Sequence, residues 1–220
     1  MGVVLTEKIT GPAAWCAADF VGDDSWVHHL TPQDIAKIDA ALAQARAKGV
    51  AFPNITKDDI ALDGFADLFA AFREELENGR GFLLLRGLPV ERYTDDEINL
   101  IYYGIGLHLG QPVGQNPRGD LLGKVMAVGD PTKKETRVYE TNLYLPYHTD
   151  PSDVVGLLCL RKAKTGGLSS LVSVASIYNH ILEHHRELLG IFYKQFYYAH
   201  LGDGEPKLSS LFSFHEGKLS

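Results

Sequence analysis

The residues best suited to chemistry lie in the run Tyr147-His148-Thr149-Asp150. Side chains on an extended segment alternate between faces, so residues two apart point the same way. His148 and Asp150 can therefore offer an imidazole nitrogen and a carboxylate oxygen to one metal ion. Two histidines and a carboxylate, with open positions beside them, form the donor set of non-haem Fe(II) oxygenases. The open positions take a co-substrate and O2. By itself His-x-Asp is a weak signal. It arises often by chance, and its commonplace reading is an ordinary hydrogen bond.

The elements around the pair add context. Val154 to Leu160 is an apolar run with the composition of a strand, and Thr165-Gly166-Gly167-Leu168-Ser169 follows it as a turn. Lys124 to Val128 and Ser170 to Val174 also read as strands. Upstream, residues 31–48 read as a helix, with Thr31 as N-cap, Pro32 at its first position and Gly49 beyond its end. Ile35, Ile38, Leu42 and Ala45 share one face. A second helix covers about 65–78, and its stripe of Phe65, Leu68, Phe69, Phe72 and Leu76 is core rather than a cofactor box. Gly81 to Gly87 is a glycine-bounded apolar run that reads as a buried strand. Thr94-Asp95-Asp96-Glu97 is a capping box that starts a helix closed by Gly110. A last helix spans about 175–193, the stretch to Tyr198 returns to extended structure, and 199–220 reads as loop and short strand. The picture is a sheet-rich core with helices packed outside it.

Length and composition bound the function. The chain has 220 residues, 45% of them hydrophobic and 22% charged, with a formal net charge of -7. That supports one sizeable core and argues against a nucleic-acid footprint. The basic clusters Arg161-Lys162-Ala163-Lys164 and Lys133-Lys134 are short and read as solvated loop charges. Cys16 and Cys159 make no disulfide framework, which points to reduced thiols and a cytoplasmic protein. The N-terminus has no signal-peptide pattern, and no apolar run is long enough to span a membrane.

With His148-Thr149-Asp150, the apolar run after it, Thr165-Gly166-Gly167 and Ser169 in view, the chain resembles the taurine dioxygenase family of clavaminate-synthase-like oxygenases. Gly81-Phe82-Leu83-Leu84-Leu85-Arg86-Gly87, a helix, and Gly110-Gln111-Pro112 extend the likeness. It is close over about 80–220 and looser over 1–79. The resemblance implies an α+β protein with a double-stranded β-helix (jelly-roll) core and flanking helices. Residues 1–220 would be a single oxygenase domain, 1–79 its helical N-terminal part and 80–220 the first part of the jelly roll. It implies Fe(II) as metal and 2-oxoglutarate as co-substrate, with a small-molecule substrate and O2 as partners and a homo-oligomer compatible with the reading.

Carried over residue by residue, His148 and Asp150 fall on the first histidine and the carboxylate of the iron triad. Ser169 falls where the family has a hydroxyl that helps bind the 2-oxoglutarate carboxylate; a turn-capping serine is its plainer reading. Asn142 lies in the segment that lines the substrate side, where a buried amide fixing a loop is equally natural. Gln115 and Tyr144 are weaker substrate-side candidates. The implied reaction oxidises a small carboxylate or amino-acid-like substrate and gives succinate and CO2. Hydroxylation is its default outcome, with desaturation and cyclisation as variants.

The chain departs from the family pattern downstream. The family's second iron histidine and its 2-oxoglutarate-binding arginine lie near the C-terminus, and only seventy residues follow Asp150. Among the remaining histidines, His180, His184 and His185 read as helix surface, and His200 and His215 sit in nothing resembling the distal motif. The expectation is a chain that stops before the last strands of the fold. Two rival readings stand beside the enzyme: a non-catalytic member that only binds a small acid, and a purely structural His148–Asp150 pair.

Overall fold

The computed structural model describes residues 4–116, 118–130, 132–133, 136, 138–150, 152–198, 206–215 and 217–219. His200 and Lys134, singled out above, lie outside them. The chain forms two compact units. One comprises Asp23–Lys124 and His148–Ser169; the other comprises Met1–Gly22, Val125–Tyr147 and Ser170–Ser220.

The unit that contains His148 and Asp150 is built on two short parallel strands and three helices. Strand β1 (Val27–His29) pairs with β2 (Leu84–Arg86), Val27 opposite Leu84 and His29 opposite Arg86. Helices α1 (Pro32–Ala47), α2 (Ala66–Asn78) and α3 (Asp95–Leu109) pack around them. All three lie within a residue or two of the bounds their capping and stop signals predict. The expected α1 face, Ile35, Ile38, Leu42 and Ala45, is buried and meets Phe65, Phe69, Phe72 and Ile101 in one core. Gly104 lies inside α3, where glycine ordinarily costs a helix about 1 kcal/mol relative to alanine. Packing explains it: a Cβ there would lie 2.7 Å from the buried Ile60 side chain.

The helix starts are held by charge-assisted hydrogen bonds. The Thr31 hydroxyl accepts from the Asp34 N–H, and the Asp34 carboxylate accepts from the Thr31 N–H at 3.0 Å. Thr94 and Glu97 repeat the arrangement at α3, and Arg46 of α1 reaches Glu97 at 2.5 Å. Asp59 accepts from the Thr56 N–H and hydroxyl in the loop between α1 and α2. These bonds hold three carboxyls below their ordinary range, Asp34 chiefly through the Thr31 hydroxyl, Glu97 and Asp59 chiefly through the Thr94 and Thr56 N–H groups. A carboxyl depressed in the folded state adds stability above its unfolded value of about 4, and that stability is lost as pH falls through the folded value. The melting temperature should therefore fall steeply below about pH 4. Thr31→Ala with Thr94→Ala should flatten that fall, and a thermal melt series against pH checks it.

The other unit carries α4 (Val174–His184), α5 (Leu189–Phe192) and two antiparallel pairs. In the first, β3 (Gln195–Tyr198) pairs with β4 (Lys207–Ser210); in the second, β5 (Phe214–His215) pairs with β6 (Lys218–Leu219). Tyr178, Leu189 and Phe212 form its buried centre. Helix α4 also binds the N-terminal segment. The Asn179 amide donates to the Ile9 carbonyl and accepts from the Ile9 N–H, both at 2.8 Å. Ser176 donates to the Trp15 carbonyl at 2.6 Å, and the Tyr178 hydroxyl donates to the Leu5 carbonyl. Burial pushes the Tyr178 hydroxyl well above the ordinary tyrosine value, so it remains a donor.

Two expectations are corrected. Residues 124–128, 154–160 and 170–174 form no strand. Their residue types suit a sheet, but a ladder needs a neighbouring segment to exchange N–H and C=O bonds repeatedly; Val128 donates to the Glu140 carbonyl at 2.9 Å, and among the described residues no ladder forms on any of the three. Val125, Val155, Leu157 and Leu171 are exposed as a result. The helix expected over 175–193 is broken at His185, whose backbone leaves the helical region (φ −142°, ψ 41°). The redirected chain puts Leu189 in the core and the Phe192 ring 5.4 Å from Phe212. The α+β mixture of helix and strand is as expected. No helix among the described residues is long and apolar enough to cross a membrane, and Cys16 and Cys159 are free thiols.

Candidate metal centre

His148 and Asp150 sit at the start of the segment 148–169, in no regular element. The Nε2 of His148 lies 3.9 Å from the Oδ1 of Asp150, with 48% and 49% of the two side chains exposed. Two donors each about 2.1 Å from one ion lie about 3 Å apart at a right angle and about 4.2 Å apart in line. The observed separation is about 1 Å wider than the right-angle spacing of neighbouring ligands in a facial set. Imidazole nitrogen and carboxylate oxygen are also donors that a ferrous ion accepts. The pair thus fits an iron ion in donor type, a closing of about 1 Å would bring the two donors to facial spacing, and their exposure leaves room for further ligands. Among the described residues no three His, Cys, Asp or Glu side chains are grouped so as to hold one ion.

The backbone beyond the pair passes close to a side chain that the sequence does not advertise. Gly156 faces the Tyr102 hydroxyl of α3, and a Cβ on Gly156 would lie 2.8 Å from that oxygen. Burial raises the Tyr102 pKa, which keeps the ring neutral. The Tyr102 hydroxyl thus leaves no room for a side chain at position 156. Tyr102 lies beside the Ile98-Ile101-Ile105 stripe, and no spacing rule links it to a glycine 54 positions later.

At the far end of the segment, Gly166 and Gly167 both take left-handed backbone, with φ of 72° and 68°. Two consecutive positive φ values suit glycine and few other residues, so the Gly-Gly pair makes the turn that precedes Ser169. Ser169 is exposed. Gln115 is exposed in the same unit, and its side-chain amide donates to the Val113 carbonyl at 3.0 Å. Asn142 and Tyr144 are exposed and belong to the other unit.

Comparison with known proteins decides the family. The sequence model of the taurine catabolism dioxygenase TauD, TfdA family matches residues 41–218. The chain belongs to that family. Members of the TauD/TfdA family are generally Fe(II)- and 2-oxoglutarate-dependent dioxygenases. One curated relative is the FR-33289 synthase of Streptomyces rubellomurinus, 34% identical over 224 residues that cover 99% of this chain and 66% of the relative. Another is the taurine hydroxylase-like protein SAT17 of Stachybotrys chartarum, 28% identical over 189 residues, 82% of this chain and 49% of the relative. The chain thus spans 66% and 49% of the length of these two relatives. The resemblance read from His148-Thr149-Asp150 and the Gly-Gly turn therefore identifies the family correctly.

Proposed function

We propose that the protein is an Fe(II)- and 2-oxoglutarate-dependent dioxygenase that oxidises a small carboxylate or amino-acid-like substrate. The observation that carries the reading is the His148–Asp150 donor pair at 3.9 Å in a member of the TauD/TfdA family. In this reading residues 1–220 belong to a single oxygenase domain built on a jelly roll. His148 and Asp150 are two protein ligands of the iron, and Ser169 helps hold the co-substrate. Bound iron with 2-oxoglutarate supplies the oxidising power, with succinate and CO2 as co-products and hydroxylation as the default outcome.

The chain's own residues have simpler tasks. His148 binds through the lone pair of a ring nitrogen. Asp150 brings a negative charge that offsets part of the metal's. The Ser169 hydroxyl can donate to a carboxylate oxygen of 2-oxoglutarate, a charge-assisted bond stronger than a neutral one. Gln115 is the candidate polar contact to substrate in the unit that holds the metal ligands. Tyr102 comes close to the chain at Gly156, between the metal ligands and Ser169.

A panel of taurine, free amino acids and small carboxylates, followed by succinate release, tests the substrate class. Succinate formed in step with oxidised product from an amino acid or simple carboxylate is the expected result. Coupled turnover of taurine alone would overturn the class, and succinate release that no substrate stimulates would overturn the dioxygenase reading.

A further inference from the structure

The last turn of α4 carries two imidazoles that the oxygenase reading does not use. His180 and His184 are exposed and four residues apart, so they are neighbours on one helix face. Their ring centroids lie 4.5 Å apart with the planes 48° from one another. With a metal–nitrogen bond of about 2.0–2.1 Å, an imidazole centroid sits about 3.2 Å from the ion it binds. Two such rings on one ion are then about 4.5 Å apart at a right angle and about 5.2 Å apart at the tetrahedral angle. The observed centroid spacing equals the right-angle value, so side-chain rotation alone can bring one nitrogen of each ring onto a shared ion.

We propose that His180 and His184 form a second, surface site for a divalent transition-metal ion of the zinc, nickel or copper type. Imidazole suits these ions. The site sits at a helix C-terminus, where carbonyls without intrahelical partners favour a cation. The neighbouring cations face other groups. Lys8 lies 3.8 Å from Glu183, and Arg186 donates to the Thr6 carbonyl at 3.4 Å. His185 is not a donor in this assignment. It has left the helix, its ring centroid is 6.2 Å from that of His180, and its Nδ1 lies 3.9 Å from Glu187. Two protein donors with water completing the shell bind more weakly than a four-ligand structural site. The consequence is practical: metal reconstitution of this protein loads an ion that plays no part in oxidation. The inference stands apart from the oxygenase reading.

The test is a calorimetric titration of the full chain with nickel alone, on a His148→Ala background that removes the other candidate site. About one equivalent should bind. Adding His180→Ala or His184→Ala should weaken binding about tenfold or more, whereas His185→Ala should change it by less than about threefold. The proton NMR signals of the His180 and His184 rings should broaden first when copper is added. All three histidines are exposed, so thermal melts should be unchanged. Absence of binding on the His148→Ala background, equal binding after His184→Ala, or an equal loss after His185→Ala would overturn the proposal.

Discussion

Replacing His148 with alanine is expected to lower Fe(II) affinity by at least about 100-fold and to remove 2-oxoglutarate turnover with it. Altering even the groups behind a metal ligand costs about 10- to 100-fold in affinity or activity, and removing a ligand should cost no less. Asp150→Asn should do similar damage for a different reason, since it keeps the shape and deletes the charge. The fold offers a clean control. Both side chains are about half exposed, and substitutions at such positions usually change stability by less than about 0.5 kcal/mol. Iron content and succinate release should therefore collapse while the thermal melt stays in place. A melt that shifts strongly while iron affinity is retained would mean that the pair is structural.

The largest expected loss of stability is at Phe69. Its side chain is 4% exposed, and its ring stacks on His108 at 5.4 Å and meets Phe65 at 5.8 Å and Phe72 at 6.3 Å. Phe69→Ala removes the apolar surface of the ring and leaves a hole between α2 and α3 that rigid neighbours fill only in part. Such substitutions cost about 3–5 kcal/mol, a large share of the about 5–15 kcal/mol that holds a domain folded. Urea denaturation measures it. Leu168→Ala is the matched control: Leu168 is 95% exposed, and its loss should move the midpoint little.

The three helices of the His148 unit were legible because their signals are local. Thr31-Pro32, Thr94 to Glu97 and the following glycines act within one turn of chain, and the structure keeps each of them. The Gly166-Gly167 turn was legible for the same reason, as only glycine tolerates its backbone. The strands expected at 154–160 and 170–174 were not, because composition states what a segment would suit and not what lies beside it. β1 was missed as well. Val27-His28-His29 is too short to show a period, and it is a strand only because Leu84–Arg86 runs alongside. At the candidate site, His148 and Asp150 could be read from an alternation two residues long. Tyr102 could not, since it meets Gly156 through the tertiary fold. In the sequence the His180–His184 pair is plain helix surface, and only the coordinates give its ring spacing.

The central claim is that His148 and Asp150 hold an iron ion that 2-oxoglutarate completes. The most direct measurement is an anaerobic titration with Fe(II) and 2-oxoglutarate, following the visible charge-transfer absorption of the chelate, with His148→Ala beside the parent. The account predicts a band in the parent protein and none in the variant. A band of equal strength in both would contradict it, because the metal would then be held elsewhere.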